Sequence, residues 1–160
     1  MRNEPKIRFA QKKDLPNLID LCAQHASFEK AEYEANGKKN LLDKYLFSNN
    51  PSLFCLVVED ESQLIGYTTY MKQFSTWDAC HYIYMDCLFI TEESRGYGLG
   101  EKLIERIKKE TQQLGCELIQ WQTPVFNTRA MKFYERIGAS GKSKERYFLK
   151  LNKASTQQGV

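Results

Sequence analysis

Residues Tyr82 to Gly115 constrain the fold more than any other stretch: an apolar strand runs into a glycine-rich bend and then into a long amphipathic helix. Tyr82, Ile83, Tyr84, Met85, Leu88, Phe89 and Ile90 are apolar or aromatic, and Asp86 is the only charge among them. Such a run predicts a central strand buried on both faces. Thr91 to Ser94 break the pattern. Arg95-Gly96-Tyr97-Gly98-Leu99-Gly100 then sets three glycines at alternate positions directly before a helical period. Leu99, Leu103, Ile104, Ile107 and Leu114 share one face of that helix, with Glu101, Arg106, Lys109 and Glu110 mostly on the other, and Gly115 supplies a stop.

The first turn of a helix leaves amide hydrogens unpaired at the positive end of its dipole, so a glycine-lined approach lets an anion such as pyrophosphate reach them. Gly96, Gly98 and Gly100 are therefore candidate phosphate-cradling positions. The same glycines also suit a plain strand-to-helix turn, and the pattern leaves both readings open. No Gly-Lys-Ser/Thr follows, which excludes a P-loop, and the spacing is not that of a dinucleotide fingerprint.

Around this unit the chain reads as alternating short elements. A first strand is predicted over Ile7 to Ala10. A helix follows with Asp14 as its cap, Pro16 in its first turn and Leu15, Leu18, Ile19 and Cys22 on its apolar face. His25 to Asn40 reads as a surface loop or broken helix, and Leu41 to Phe47 as a short helix ended by Asn49-Asn50-Pro51. Phe54 to Val58 and Leu64 to Met71 predict an antiparallel hairpin with Gly66 at a bulge, and Gln73 to Cys80 a connecting loop. After the long helix come a strand over Leu118 to Thr123 and a short helix capped by Asn127 and closed by Gly138. A last strand is predicted over Arg146 to Leu151, and 152–160 is expected to be a disordered polar tail. The fold class is α/β: a mixed central sheet with helices on both faces, in a single domain spanning 1–151.

Charge and cysteine usage narrow the function. With 23 basic and 20 acidic residues the net charge is +3, too balanced and too scattered to point to nucleic acid. No apolar run reaches about 18 residues and no secretory signal is present, so no membrane role is expected. Cys22, Cys55, Cys80, Cys87 and Cys116 are odd in number and unpaired in spacing, which fits free thiols in a reducing cytoplasm. His25 and His81 are isolated, and no metal site is read. Asp86 is the residue that asks for an explanation, because a lone carboxylate in an apolar strand is costly unless paired or used. It can bind an ammonium group and take its proton, or it can face solvent or an arginine. Cys87 lacks a base and an electropositive setting, so it reads as a packed cysteine rather than a nucleophile.

Arg95-x-x-Gly98-x-Gly100 after a strand resembles the Arg/Gln-x-x-Gly-x-Gly/Ala signature of the GNAT superfamily of N-acetyltransferases. Asn127-x-x-Ala130-x-x-Phe133-Tyr134-x-x-Ile137-Gly138-Ala139 resembles that family's later segment. The resemblance implies a GNAT fold in which the strand before the glycine loop and the strand after its helix splay apart to admit acetyl-coenzyme A. Leu88, Phe89 and Ile90 would meet the pantetheine arm, and Arg95, Gly96, Tyr97, Gly98, Leu99, Gly100 and Glu101 the pyrophosphate. Gln120, Trp121, Gln122, Asn127, Thr128, Arg129 and Ala130 would help hold the cofactor. Tyr134 would be the general acid for the departing thiolate. On helical pattern alone it could equally pack its helix on the sheet, as Phe133 does.

A finer resemblance runs from about Ile7 to Leu151. Phe28-Glu29-Lys30, Phe74-Ser75-Thr76-Trp77, Met85 to Ile90 and Glu145 look like the spermidine/spermine (diamine) and thialysine acetyltransferases. Phe28, Glu29, Asp86 and Glu145 would then line a cation-binding channel. The acidic pair Glu-Asp of that group is Asp86-Cys87 here, one carboxylate shortened and the other lost. The implied activity is acetyl transfer to a small cationic amine, a polyamine or lysine-like amine, by direct attack in a ternary complex. Rival readings are transfer to a protein amino group and a non-catalytic acyl-coenzyme A sensor. A homodimer, with the final strand near the partner, is also implied. The chemistry must solve a proton problem: with a pKa near 10, only about one alkylamine in a thousand is neutral at pH 7, a handicap of roughly 4 kcal/mol.

Overall fold

The computed structural model describes residues 4–152. Five strands and four α-helices follow one another as β1 (Lys6–Phe9), α1 (Leu15–Phe28), α2 (Lys38–Phe47), β2 (Phe54–Asp60), β3 (Gln63–Ser75), β4 (Cys80–Ile90), α3 (Leu99–Gln113), β5 (Ile119–Gln120) and α4 (Thr128–Arg136). The strands form one sheet in the order β1-β2-β3-β4-β5. Its first three pairings are antiparallel and the last, β4 with β5, is parallel. A parallel pair needs a crossover, which α3 supplies.

Both faces of the sheet are covered. Cys55 and Val57 of β2, Tyr67 and Phe89 pack against Leu15, Leu18 and Leu21 of α1 and Leu46 of α2. Leu56 and Val58, one residue out of phase, pack with Tyr70, Ile83, Met85 and Ile90 against Leu99, Leu103, Ile104 and Ile107 of α3. This is why β2 is an unbroken apolar run rather than an alternating one. At the start of α1, Asp14 does not cap with its side chain. Its carboxylate instead takes both arms of the Arg8 guanidinium, at 2.7 and 3.0 Å, and the Gln11 amide. That pairing holds the Asp14 carboxyl below its usual range and ties α1 to β1.

Two irregularities shape the middle of the sheet. Gly66 lies beside a bulge between Val58 and Glu59, and a Cβ there would stand 2.9 Å from the Phe89 carbonyl, so β3 and β4 can approach only over a glycine. A second bulge falls where Thr69 pairs with Cys87 and Tyr70 with Met85, leaving Asp86 as the extra residue on β4. The bulge turns Asp86 out to solvent, so the expectation of a strand buried on both faces fails at this residue.

Further differences concern element ends. α1 continues through His25 to Phe28, within the stretch read as a surface loop or broken helix, because His25 and Glu29 pair across one turn. β5 is two residues long instead of spanning Leu118 to Thr123, since it pairs with β4 only at Ile83 and Tyr84. Beyond Tyr84 the two strands part, which is the splay expected of them. The strand expected over Arg146 to Leu151 does not form. Residues 139–152 carry no regular structure, and Tyr147, Phe148, Leu149 and Leu151 are 74–90% exposed because no other described residue covers them. Of the expected tail, Asn152 is irregular and 153–160 lies outside the described residues. No helix among the described residues is long and apolar enough to cross a membrane.

Candidate active site

Where β4 and β5 part, a cleft of about 590 Å³ opens between the end of β4, the start of α3, the end of α1 and α4. Its first wall is the bend after Ser94. Gly96 and Gly98 have φ of 87° and 75°, a region L side chains rarely adopt, and this left-handed pair swings the chain into α3 with no side chain capping the helix. The first amides of α3 are thus left bare toward the cleft. Arg95 is pinned beside them: its Nε donates to the Ile90 carbonyl at 2.9 Å, and its guanidinium lies 4.4 Å above the Phe28 ring. Burial, and then the like charge of Arg129, hold the Arg95 guanidinium below its ordinary pKa. Two cations facing one another across bare amides make a place for a polyanion.

The opposite wall is α4. Asn127 caps it, its Oδ1 accepting from the Ala130 amide at 3.3 Å, which fixes the helix start against the glycine bend. Phe133 lies under Gly100, whose Cβ, if present, would come within 3.4 Å of the ring. Tyr134 stands edge-on to Trp121 at 5.1 Å, half-buried. Burial, and then the negative charge of Glu29, push its phenol up to about 12, so it stays protonated at neutral pH. Glu29 hangs from the end of α1 at the far side of the cleft, with its Oε1 3.1 Å from His25 Nε2. The cleft therefore carries cations and bare amides together with a carboxylate and a protonated phenol.

Most of the residues expected at the site meet here. Leu88, Phe89, Ile90, Arg95, Gly96, Gly98, Leu99, Gly100, Glu101, Asn127, Thr128, Arg129 and Ala130 line the cleft, as do Tyr134, Phe28 and Glu29. Trp121 touches it only through Tyr134. Tyr97, Gln120 and Gln122 are exposed and outside its wall, and so is Asp86 on its bulge. Glu145 lies in the exposed C-terminal segment and is not brought to the cleft by its own chain. Cys87 fits the packed reading: burial and the nearby Asp86 charge push its thiol up to about 11.

Several lining residues escaped the sequence reading, among them His25, Ser94, Thr123, Lys132 and Arg136. A signal existed for the last two. Arg129, Lys132 and Arg136 are spaced three and four apart, a basic stripe along one helix face. No group of three or more His, Cys, Asp or Glu suited to a metal occurs among the described residues.

Comparison with known proteins points in one direction. A model of the acetyltransferase (GNAT) family matches residues 16–139. The thialysine N-epsilon-acetyltransferase of Bos taurus is 30% identical over 141 residues, covering 83% of this chain and 82% of that protein. The spermidine/spermine N(1)-acetyltransferase-like protein 1 of Homo sapiens is 23% identical over 149 residues, which is 88% of this chain but 21% of that protein. Among solved structures, an aminoglycoside N-acetyltransferase in complex with CoA superposes with a TM-score of 0.77 at 16% identity, covering 92% of this chain and 95% of the other.

Proposed function

The chain belongs to the GNAT acetyltransferase family, has its fold and is an acetyl-CoA-dependent N-acetyltransferase; from that premise we infer that its acceptor is a primary amine on a small cation, whose nitrogen attacks the thioester carbonyl directly in a ternary complex. The observation that carries this reading is the shared cleft, in which the Glu29 charge is felt by the protonated phenol of Tyr134. Acetyl-CoA, when bound, supplies the activated acetyl group. The bare amides after Gly98, with Arg95 and Arg129, would hold its pyrophosphate. Arg95 fits that role because its own charge is disfavoured until an anion arrives.

On this reading Glu29 draws the ammonium end of the acceptor in and Phe28 gives its alkyl chain an apolar wall. The ammonium gives one proton to water, the neutral nitrogen attacks the thioester carbonyl, and the carbon-sulfur bond breaks as Tyr134 donates to the departing thiolate; the second proton, lost by the acetylated nitrogen, restores the phenol. Asp86, on the exposed bulge, would capture a second, distal ammonium. With Cys87 in place of a second carboxylate, that capture rests on one acid. The relatives named for thialysine Nε and spermidine/spermine N1 acetyl transfer make lysine-like amines and polyamines the first acceptors to try. The domain would span 1–151. Its five free cysteines suit a reducing cytoplasm. The exposed residues 139–152 would be covered in a homodimer, where Glu145 could reach a partner's channel.

A thiol-release assay with acetyl-CoA across an amine panel tests the acceptor class. Diamines, polyamines and lysine analogues should be turned over, and uncharged arylamines and peptide N-termini should be poor. Preference for peptide amines would overturn this reading.

A further inference from the structure

His25 was unremarkable in the sequence, but it is the hub of a short polar chain at the acceptor end of the cleft. Its Nδ1 lies 2.9 Å from the Tyr67 hydroxyl and its Nε2 lies 3.1 Å from Glu29 Oε1. The ring is also clamped by stacking on Phe89, with centroids 5.1 Å apart and planes 20° apart, and meets Tyr67 edge-on. Tyr67 is fully buried on β3, and burial drives its phenol far above the ordinary value, so it remains a hydroxyl. Cys22 and Cys87 flank that hydroxyl, and burial raises both thiols, so neither brings a charge to it at neutral pH.

The hydrogen-bonding consequence is specific. An ionised Glu29 carboxylate can only accept, so Nε2 must carry the proton that joins them. The Tyr67 hydroxyl can donate to a bare Nδ1 or accept from a protonated one, so it completes the imidazole in either state. One oxygen of Glu29 is thereby fixed on a rigid ring, and the other is left for the incoming ammonium. An unrestrained glutamate on an exposed helix end would have to lose side-chain entropy at every binding event.

We propose that His25, oriented by Tyr67 and Phe89, is the positioning residue that presents the Glu29 carboxylate to the cationic acceptor. This rests on the amine-acceptor reading above and adds residues it does not use. Phe89 lines the same cleft and stacks on His25, so a strand that would run beside the pantetheine arm also holds the acceptor site in shape. The chain Tyr67-His25-Glu29 is a specificity device for charge: Glu29 alone meets the acceptor, and His25 and Tyr67 act through it.

The test combines kinetics with a spectroscopic readout. His25→Ala should raise the KM of a cationic amine roughly tenfold, the scale of one charge-assisted hydrogen bond, while the KM of acetyl-CoA stays within about twofold. His25→Gln, which keeps a donor near the Nε2 position, should recover most of that loss. Glu29→Gln should cost as much as His25→Ala, and the double variant no more than Glu29→Gln alone, because the two act as one unit. Imidazole nitrogen NMR on the protein without substrates should show a proton on Nε2 of His25, and Tyr67→Phe should perturb that resonance. An Nδ1-H tautomer with bare Nε2 would overturn the proposal whatever the activity. So would an unchanged amine KM in folded His25→Ala, or additive losses in the double variant. A wild-type enzyme that ignores cationic amines would instead overturn the acceptor reading, with the NMR result still deciding the role of His25.

Discussion

On the proposed mechanism Tyr134 carries the largest single chemical demand in the cleft. A phenol whose pKa is pushed up to about 12 is fully protonated through neutral pH and loses its proton only as pH rises through that value. Its protonated fraction therefore sets no limit on rate between pH 7 and about 10, and any rise of rate across that window must come from deprotonation of the amine. Tyr134→Phe keeps the ring against Trp121 but removes the donor, so kcat should fall by about a hundredfold, within the usual range for a lost general acid. Steady-state kinetics with any accepted amine would measure this, and full activity in the variant would take Tyr134 out of the chemistry. At this scale the sequence spoke clearly wherever a residue's role is local. The cap at Asn127 is such a case, because its partner lies three residues away. It spoke poorly where a role depends on distant chain: nothing near Asp86 announces the bulge that exposes it, and His25 gains meaning only from Tyr67, forty-two residues on.

Among elements, the bend before α3 is the one that the proposed function requires to hold a diphosphate. Gly98 sits at φ 75°, and a Cβ placed there would meet nothing within 4 Å. The effect of Gly98→Ala is therefore backbone strain alone, about 1–2 kcal/mol for an L residue in the left-handed region. That strain is relieved if the bend rotates its amides away from the cleft, so the KM of acetyl-CoA should rise by roughly tenfold, the factor that corresponds to about 1.4 kcal/mol, while the amine KM changes little. Isothermal titration with CoA would measure the same shift directly, and unchanged affinity would show that the α3 amides do not hold the ligand. The bend and α3 were legible because glycine spacing and helical period are both short-range signals. β5 was not, since the residues over Leu118 to Thr123 are strand-like throughout and only the divergence from β4 limits pairing to two of them.

For the whole molecule, the C-terminal segment is the part that the other described residues leave uncovered. Among the described residues β5 has β4 on one side and no other strand beside it, and Tyr147, Phe148, Leu149 and Leu151 stand exposed on a segment that joins no strand. A free sheet edge and an unpaired apolar segment on one molecule are complementary, and a twofold axis lets two copies satisfy both at once. Covering one such side chain contributes about 1.5–3 kcal/mol, so four on each of two copies amount to roughly 12–24 kcal/mol. Association costs about 4–15 kcal/mol, which most of that range exceeds. The full chain should therefore scatter light as twice its 18.7 kDa mass at micromolar concentration. A variant ending at Ala139 should run as a monomer, and if Glu145 serves the partner's channel it should lose affinity for polyamines more than for acetyl-CoA. A full-length monomer under these conditions would leave the segment without a partner copy, and an unaltered polyamine KM in the truncated form would remove Glu145 from the acceptor site.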